Sequence, residues 1–377
     1  MATVGILGGG QLARMLALAG APLGHRFLVV DSVEEACAAQ MAPLLRADWR
    51  DFAALEPFAR QIDVATFDFE NVPAETAQWL TAHTRVFPNP QALAMAQDRY
   101  VEKSLFCEIG LDTPAFATVD SRDELHAAVE RIGLPCVLKT RRLGYDGKGQ
   151  FVLRDRADIE GAWRAIGGVP LILEAFIAFE CEVSVVAVRS RSGEFRHYPL
   201  TRNWHRDGIL SASLAPLAGS AELERRAVVH ARQLAERLDY VGAFALELFV
   251  LGDRLLANEM APRVHNSGHW TIEGTACSQF ENHVRAVLGQ PLGDTAARAH
   301  CVMLNWIGEL PDANVVLGEA RGHWHDYGKS PRAGRKVGHA TLCADDAQEL
   351  ADRLARVGRA LGRDEQVAPV LAALDAT

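Results

Sequence analysis

Apolar runs of four or five residues, separated by stretches with helical periodicity, dominate the first hundred positions. Residues 3–7 predict a strand, Gly8-Gly9-Gly10 a turn and residues 11–19 a helix. A second strand over 27–30 ends at Asp31, and 63–67 and 85–87 predict later ones. Such alternation implies a parallel sheet. A helix over 97–109 closes at Gly110 and leads into Leu111-Asp112-Thr113-Pro114, which puts a boundary near 97. Beyond it lie a helix over 124–132, a buried strand over 134–138, and a strand with a short connector over 171–177. Residues 182–188 alternate like a half-buried strand, opened by Glu182 as either an edge carboxylate or a ligand group. Residues 244–251 and 254–260 flank Gly252-Asp253, a hairpin signal. In the tail, 301–307 and 338–342 predict strands and 347–361 a helix.

At 377 residues the chain is long enough for two to four domains with a buried interior. A net charge of −9 with no Lys/Arg block argues against nucleic acid, while anionic small molecules remain compatible with local cation clusters. Seven scattered cysteines with no C-x-x-C point to reduced thiols in a cytoplasm, not disulfides or zinc. The amino terminus reads as a strand with no signal sequence, and no apolar stretch is long enough to span a bilayer.

The chemistry gathers at a few stretches. Lys139 enters a run with Gly144, Gly147, Gly149 and the cations Arg141, Arg142 and Lys148. Glycine amides and lysine charge suit phosphate oxygens, although the Walker spacing is absent; a flexible basic hairpin is the plainer reading. Gly8-x-Gly10-x-x-Ala13, with Asp31 after the next strand, satisfies the dinucleotide fingerprint. A glycine turn entering a helix binds any phosphate, however, and no hydride-transfer site follows downstream. Asp68-Phe69-Glu70-Asn71-Val72-Pro73 sits past a strand's carboxyl end, as ligand groups or as a helix cap. With a three-residue loop from Gly252 to Arg254, Glu247 falls opposite Glu259; a two-residue loop slips that register by one. Facing carboxylates repel, and a bridging Mg²⁺ would relieve them. Arg263, His265, Asn266 and His269 follow at once, as donors for an anionic intermediate; Thr201 to His205 is a second polar-aromatic cluster. Lys329, Arg332, Arg335 and Lys336 form either a solvated loop or further phosphate clamps.

Gly8-Gly9-Gly10-Gln11-Leu12, the stretch from Asp68 to Pro73, Gly144-Tyr145-Asp146-Gly147-Lys148-Gly149-Gln150, Asn258-Glu259-Met260-Ala261-Pro262-Arg263 and His265-Asn266-Ser267-Gly268-His269-Trp270-Thr271 resemble an ATP-grasp enzyme. Within that superfamily they are most similar to the 5-(carboxyamino)imidazole ribonucleotide synthases of purine synthesis. The third and last motifs are specific; the glycine turn is not. Ala261 stands where biotin-carboxylase-like members carry Asn, which removes one candidate metal ligand. The resemblance implies an α/β chain (α+β overall): a Rossmann-like domain over 1–97, an ATP-grasp domain over 98–295 and a small, mostly-β domain over 296–377. The ATP-grasp part would divide into a lid over about 112–175 and a central subdomain over about 176–295.

By the same resemblance, ATP and bicarbonate carboxylate the exocyclic amine of aminoimidazole ribonucleotide through carboxyphosphate, with Mg²⁺ on Glu247 and Glu259. Arg99, Lys139, Gly144 to Gln150, Glu182, His205, Asn258 and Glu259 would contact ATP, with adenine held along Glu174, Ala175, Phe176 and Ile177. Gly10, Gln11, Leu12, Glu70, Lys329, Arg335 and Lys336 would hold the ribonucleotide. Tyr145, Asp146, Arg263, His265, Asn266 and His269 would surround bicarbonate and the attacking amine. A cytoplasmic homodimer with no nucleic-acid or membrane partner is implied. The alternatives are a formate-dependent ribonucleotide transformylase or other ATP-grasp ligase, and a nicotinamide-binding oxidoreductase or nucleotide sensor.

Overall fold

The computed structural model describes residues 1–144 and 147–375. Its first sheet contains β1 (Thr3–Leu7), β2 (Arg26–Asp31), β3 (Leu44–Arg46), β4 (Val64–Phe67) and β5 (Arg85–Val86), all parallel, in the order β3-β2-β1-β4-β5. Helices cover it, which is why β1 from Val4 onward and the whole of β4 are buried. The helix Gln11–Gly20 packs Leu12 and Leu16 against Phe280 and Val284 of the helix Gln279–Leu288, fastening this unit to the middle of the chain.

A four-stranded antiparallel sheet follows: β6 (Phe116–Val119), β7 (Cys136–Thr140), β8 (Gln150–Leu153) and β9 (Leu171–Ala175), in the order β6-β9-β7-β8. The rest of the chain builds one nine-stranded sheet. Its strands are β10 (Cys181–Arg189), β11 (Phe195–His197), β12 (Thr201–Arg206), β13 (Ile209–Ala215), β14 (Gly242–Leu251), β15 (Arg254–Ala261), β16 (His300–Ile307), β17 (Gly322–Asp326) and β18 (Lys336–Ala344). The order is β15-β14-β10-β12-β13-β16-β18-β17, with β11 paired to β10. Because β13 pairs with β16, the tail's strands extend the middle sheet, and the helices Ala347–Ala360 and Asp364–Asp375 pack on them.

Two readings of this sheet need correction. Glu182 is not at an edge, since β10 lies between β14 and β12. The β14–β15 loop has two residues, not three: Leu251 pairs with Arg254, and the register runs on to Leu248 and Ala257. An irregularity then absorbs Asn258, so that Glu247 does face Glu259. Lys103, fully buried, donates to the Asn258 carbonyl at 3.1 Å, giving the bulged backbone a partner.

Candidate active site

One cavity of about 750 Å³ lies where the three sheets meet, with the glycine turn at one end and the β7–β8 loop at the other. Near its centre are the facing carboxylates. Glu259 Oε2 accepts from Arg99 Nη1 at 2.8 Å, and Glu247 Oε1 from His265 Nε2 at 3.0 Å. The His265 tautomer follows from its other nitrogen: Nδ1 accepts from the Ser267 amide at 3.3 Å, so Nε2 carries the proton. Burial opposes ionisation of Glu259, but Arg99 and Lys139 hold its carboxyl well below the usual range. Beside it, burial and the charge of Glu259 push Glu102 up to about 8.

The end beside the β7–β8 loop is cationic and partly self-neutralised. Lys139 Nζ donates to Glu174 Oε2 at 2.9 Å, and Lys103 approaches the same oxygen at 3.3 Å. Glu174 is therefore buried, and its carboxylate holds Lys139 in place; Ala175, Phe176 and Ile177 continue the chain outside the cavity lining. Arg141 and Arg142 both bond Asp98, which caps the helix Arg99–Glu108, and Arg141 also lines the cavity. Gly144, Gly147, Lys148 and Gln150 line the cavity, and Gly149 takes a positive φ against Thr140. Tyr145 and Asp146 lie outside the described residues. Glu182 Oε2 meets His205 Nδ1 at 2.5 Å; burial lowers the His205 pKa, but Glu182 outweighs it and raises it overall.

At the opposite end Gly10, Gln11 and Leu12 line the cavity, and Lys329 Nζ donates to Gln11 Oε1. Arg263 pairs with Glu70, while Arg332, Arg335 and Lys336 line the same end. The fingerprint amides are already taken. Asp31 Oδ2 accepts from Gly9 N and Asp68 Oδ2 from Gly10 N, each at 2.6 Å. A dinucleotide pyrophosphate would have to displace both carboxylates, so the nicotinamide reading fails on geometry. His269 is fully buried behind the wall, its ring 4.8 Å from that of His339, and burial drives its pKa well below the ordinary value.

The family models match in the order of this architecture: the ribonucleotide synthetase preATP-grasp domain over residues 1–97, the ATP-grasp domain over 104–280, and the phosphoribosylaminoimidazole carboxylase C-terminal domain over 301–353. The N5-carboxyaminoimidazole ribonucleotide synthase of Pseudomonas aeruginosa is 52% identical over 354 residues, spanning 94% of this chain and 98% of that one. This chain belongs to the N5-carboxyaminoimidazole ribonucleotide synthase family. The Brucella melitensis member is 47% identical, with 90% of this chain and 95% of that one covered. Among solved structures, the Thermus thermophilus synthetase superposes with a TM-score of 0.91 at 50% identity, covering 94% and 98% of the two chains. The Aspergillus clavatus synthase, solved with ADP and 5-aminoimidazole ribonucleotide, superposes with a TM-score of 0.87 at 28% identity, covering 100% and 99%. These relatives do not favour the formate-dependent alternative.

Several wall residues of this family member escaped sequence reasoning. Glu102 looks like any helix charge. Phe179 and Phe249 line the cavity with rings stacked at 4.7 Å, and Phe249 lies two positions from Glu247 on β14, a period-two signal that was there to be used. Among the described residues no group of three His, Cys, Asp or Glu side chains forms a complete metal cage. Two facing carboxylates still fit a hard divalent cation that shares its remaining positions with phosphate and water.

Proposed function

We propose that this chain carboxylates the exocyclic amine of 5-aminoimidazole ribonucleotide, consuming ATP and bicarbonate and releasing ADP and phosphate. The observation that carries this reading is the single cavity joining a glycine-and-lysine nucleotide end to a second cationic end, with Arg263, His265 and Asn266 in its wall. Bicarbonate is a poor electrophile until one of its oxygens bears a phosphoryl group. Its oxygen therefore attacks the γ-phosphorus, the bond to the ADP oxygen breaks, and carboxyphosphate forms. The amine nitrogen then attacks the carboxyl carbon, the C–O bond to phosphate breaks, and the departing phosphate takes the amine proton.

Positioning and charge neutralisation are what such chemistry requires. Arg99, Lys139, Lys148 and the lid glycines would hold the phosphates, Glu182 and His205 the ribose, and β9 with its connector through Ile177 the adenine. Mg²⁺, held by Glu247 and Glu259, would neutralise the phosphate oxygens. Arg263, His265 and Asn266, with Tyr145 and Asp146 from the lid, would surround the one-carbon anion, and His269 would back that wall. Gly10 to Leu12, Glu70, Lys329, Arg335 and Lys336 would receive the ribonucleotide, whose phosphate suits the last three cations. The division into 1–97, 98–295 and 296–377, a homodimeric state and a cytoplasmic setting belong to the same reading; the free cysteines fit a reducing compartment.

The test is ADP release with ATP and Mg²⁺, with and without aminoimidazole ribonucleotide and bicarbonate. Release should depend strongly on the ribonucleotide, and carbon from labelled bicarbonate should enter the product. Incorporation of formate, or ADP release indifferent to the ribonucleotide, would refute the proposal.

A further inference from the structure

Asn266 lines the cavity from the first position of a short 3₁₀ turn, Asn266–Gly268, and its side chain is not free to rotate. Behind it stands Asn305, almost fully buried on β16 and outside every motif described above. Asn305 Nδ2 donates to the Leu210 carbonyl at 2.8 Å and to Asn266 Oδ1 at 2.7 Å. Asn266 Nδ2 returns a bond to Asn305 Oδ1 at 3.1 Å. The logic of this ring runs one way. A main-chain carbonyl cannot turn over, so Leu210 decides which end of the Asn305 amide faces it; an oxygen there would oppose an oxygen. With Asn305 oriented, its oxygen faces Asn266 Nδ2 and its second N–H faces Asn266 Oδ1.

We infer that Asn305 is a positioning residue, which locks the Asn266 amide so that its remaining N–H, and not its oxygen, serves the cavity. An N–H donor in a low-dielectric wall favours an anion's oxygen, here bicarbonate or the acyl phosphate made from it, over an amine or hydroxyl donor. The inference rests on the proposed function and adds a residue from the tail of the chain to it. A second, half-buried amide supplies the control. Gln366 Nε2 donates to the main-chain oxygens of Asn305, at 3.1 Å, and Ser211, at 3.0 Å, and its side chain makes no bond to the Asn305 amide group.

The experiment measures initial rates of the full chain in CO₂-depleted buffer, with ATP and ribonucleotide saturating and bicarbonate varied. Asn305→Leu, branched at the same carbon but without hydrogen bonds, should raise KM for bicarbonate at least about tenfold, the scale of one lost polar contact, with KM for ATP within about twofold. Gln366→Leu should lower Tm and leave KM for bicarbonate unchanged. Should Asn305→Leu fail to fold, Asn305→Ser, which lacks the second donor, should show the same rise. A bicarbonate KM that stays at the wild-type value in the folded Asn305 variant, or that moves equally in Gln366→Leu, overturns the inference. A wild-type chain indifferent to bicarbonate would instead overturn the function beneath it.

Discussion

Two glycine turns face the same cavity from opposite ends, and they differ in what their backbone amides already hold. At Gly8-Gly9-Gly10, the amides of Gly9 and Gly10 end on the carboxylates of Asp31 and Asp68. The Asp68 carboxyl is buried deeply enough for desolvation to push it up to about 7. In the β7–β8 loop, Thr140 N bonds the Gly149 carbonyl, and among the described residues no carboxylate accepts from Gly144, Gly147 or Gly149. In the first turn the protein's own carboxylates occupy the Gly9 and Gly10 amides; among the described residues of the second, no glycine amide is so occupied. A phosphate-binding sequence pattern is therefore only half a site, because the other half is whether the protein has supplied its own anion.

The largest expected effect tests the facing carboxylates that lie between the two turns. Glu259→Gln removes one of the two facing charges but keeps an acceptor for Arg99. Turnover should fall by about a thousandfold or more, the scale seen when electrostatic stabilisation of a transferring group is lost, with Tm close to that of the wild type. Activity within tenfold of the wild type would leave the acidic pair without its assigned task.

Next in size is a matched pair of glycine substitutions. Gly8 has a φ of +98°, and a Cβ there would overlap Asp68 Oδ1. Gly8→Ala should cost about 4 kcal/mol from backbone strain and overlap together, read as a fall in Tm. Gly147 also has a positive φ, +74°, but its nearest neighbours are Asp207 O and Gly208 Cα across the cavity mouth. Gly147→Ala should lower kcat/KM for ATP about tenfold and leave Tm within a few degrees, as expected if this position meets ATP and not the core. Equal losses of Tm in both variants would erase the distinction between the two turns.

Legibility followed the same divide between local pattern and distant partner. β1, β2, β4 and β5 were readable because apolar runs mark strands covered on both faces. β3, three residues after Pro43, is too short to carry any period. The β14–β15 hairpin was visible, and Glu247 was placed opposite Glu259, but by way of a loop length the structure contradicts. The bulge at Asn258, with its carbonyl held by Lys103 from a helix 155 positions earlier, lies beyond local arithmetic. Motif membership likewise located Glu174 and His269 without showing that the first faces two lysines and the second lies behind the wall. Asn305 had no local signal at all, since its role depends on a register between strands far apart in sequence.

The smallest expected effect concerns the seam between the two turns, where His283 joins β4 to β14. Its Nδ1 accepts from the Ala243 amide at 3.0 Å, so Nε2 carries the proton and donates to Thr66 Oγ1 at 2.7 Å. Protonation would destroy the first bond, and burial lowers the pKa from 6.5 to about 4. Above pH 6.5 neither the folded nor the unfolded chain is protonated here, and the contribution to stability is complete. As pH falls below 6.5 the unfolded chain takes up a proton that the folded chain refuses, so stability declines, by about 3 kcal/mol at pH 4. His283→Gln keeps one donor and one acceptor without titrating. Its Tm should fall less steeply than that of the wild type between pH 6.5 and pH 4, with turnover at neutral pH within about twofold. Because His269 and His339 are displaced in the same direction, the difference between the two curves, and not the wild-type slope alone, isolates this group. Parallel curves would mean that the seam does not depend on a neutral His283.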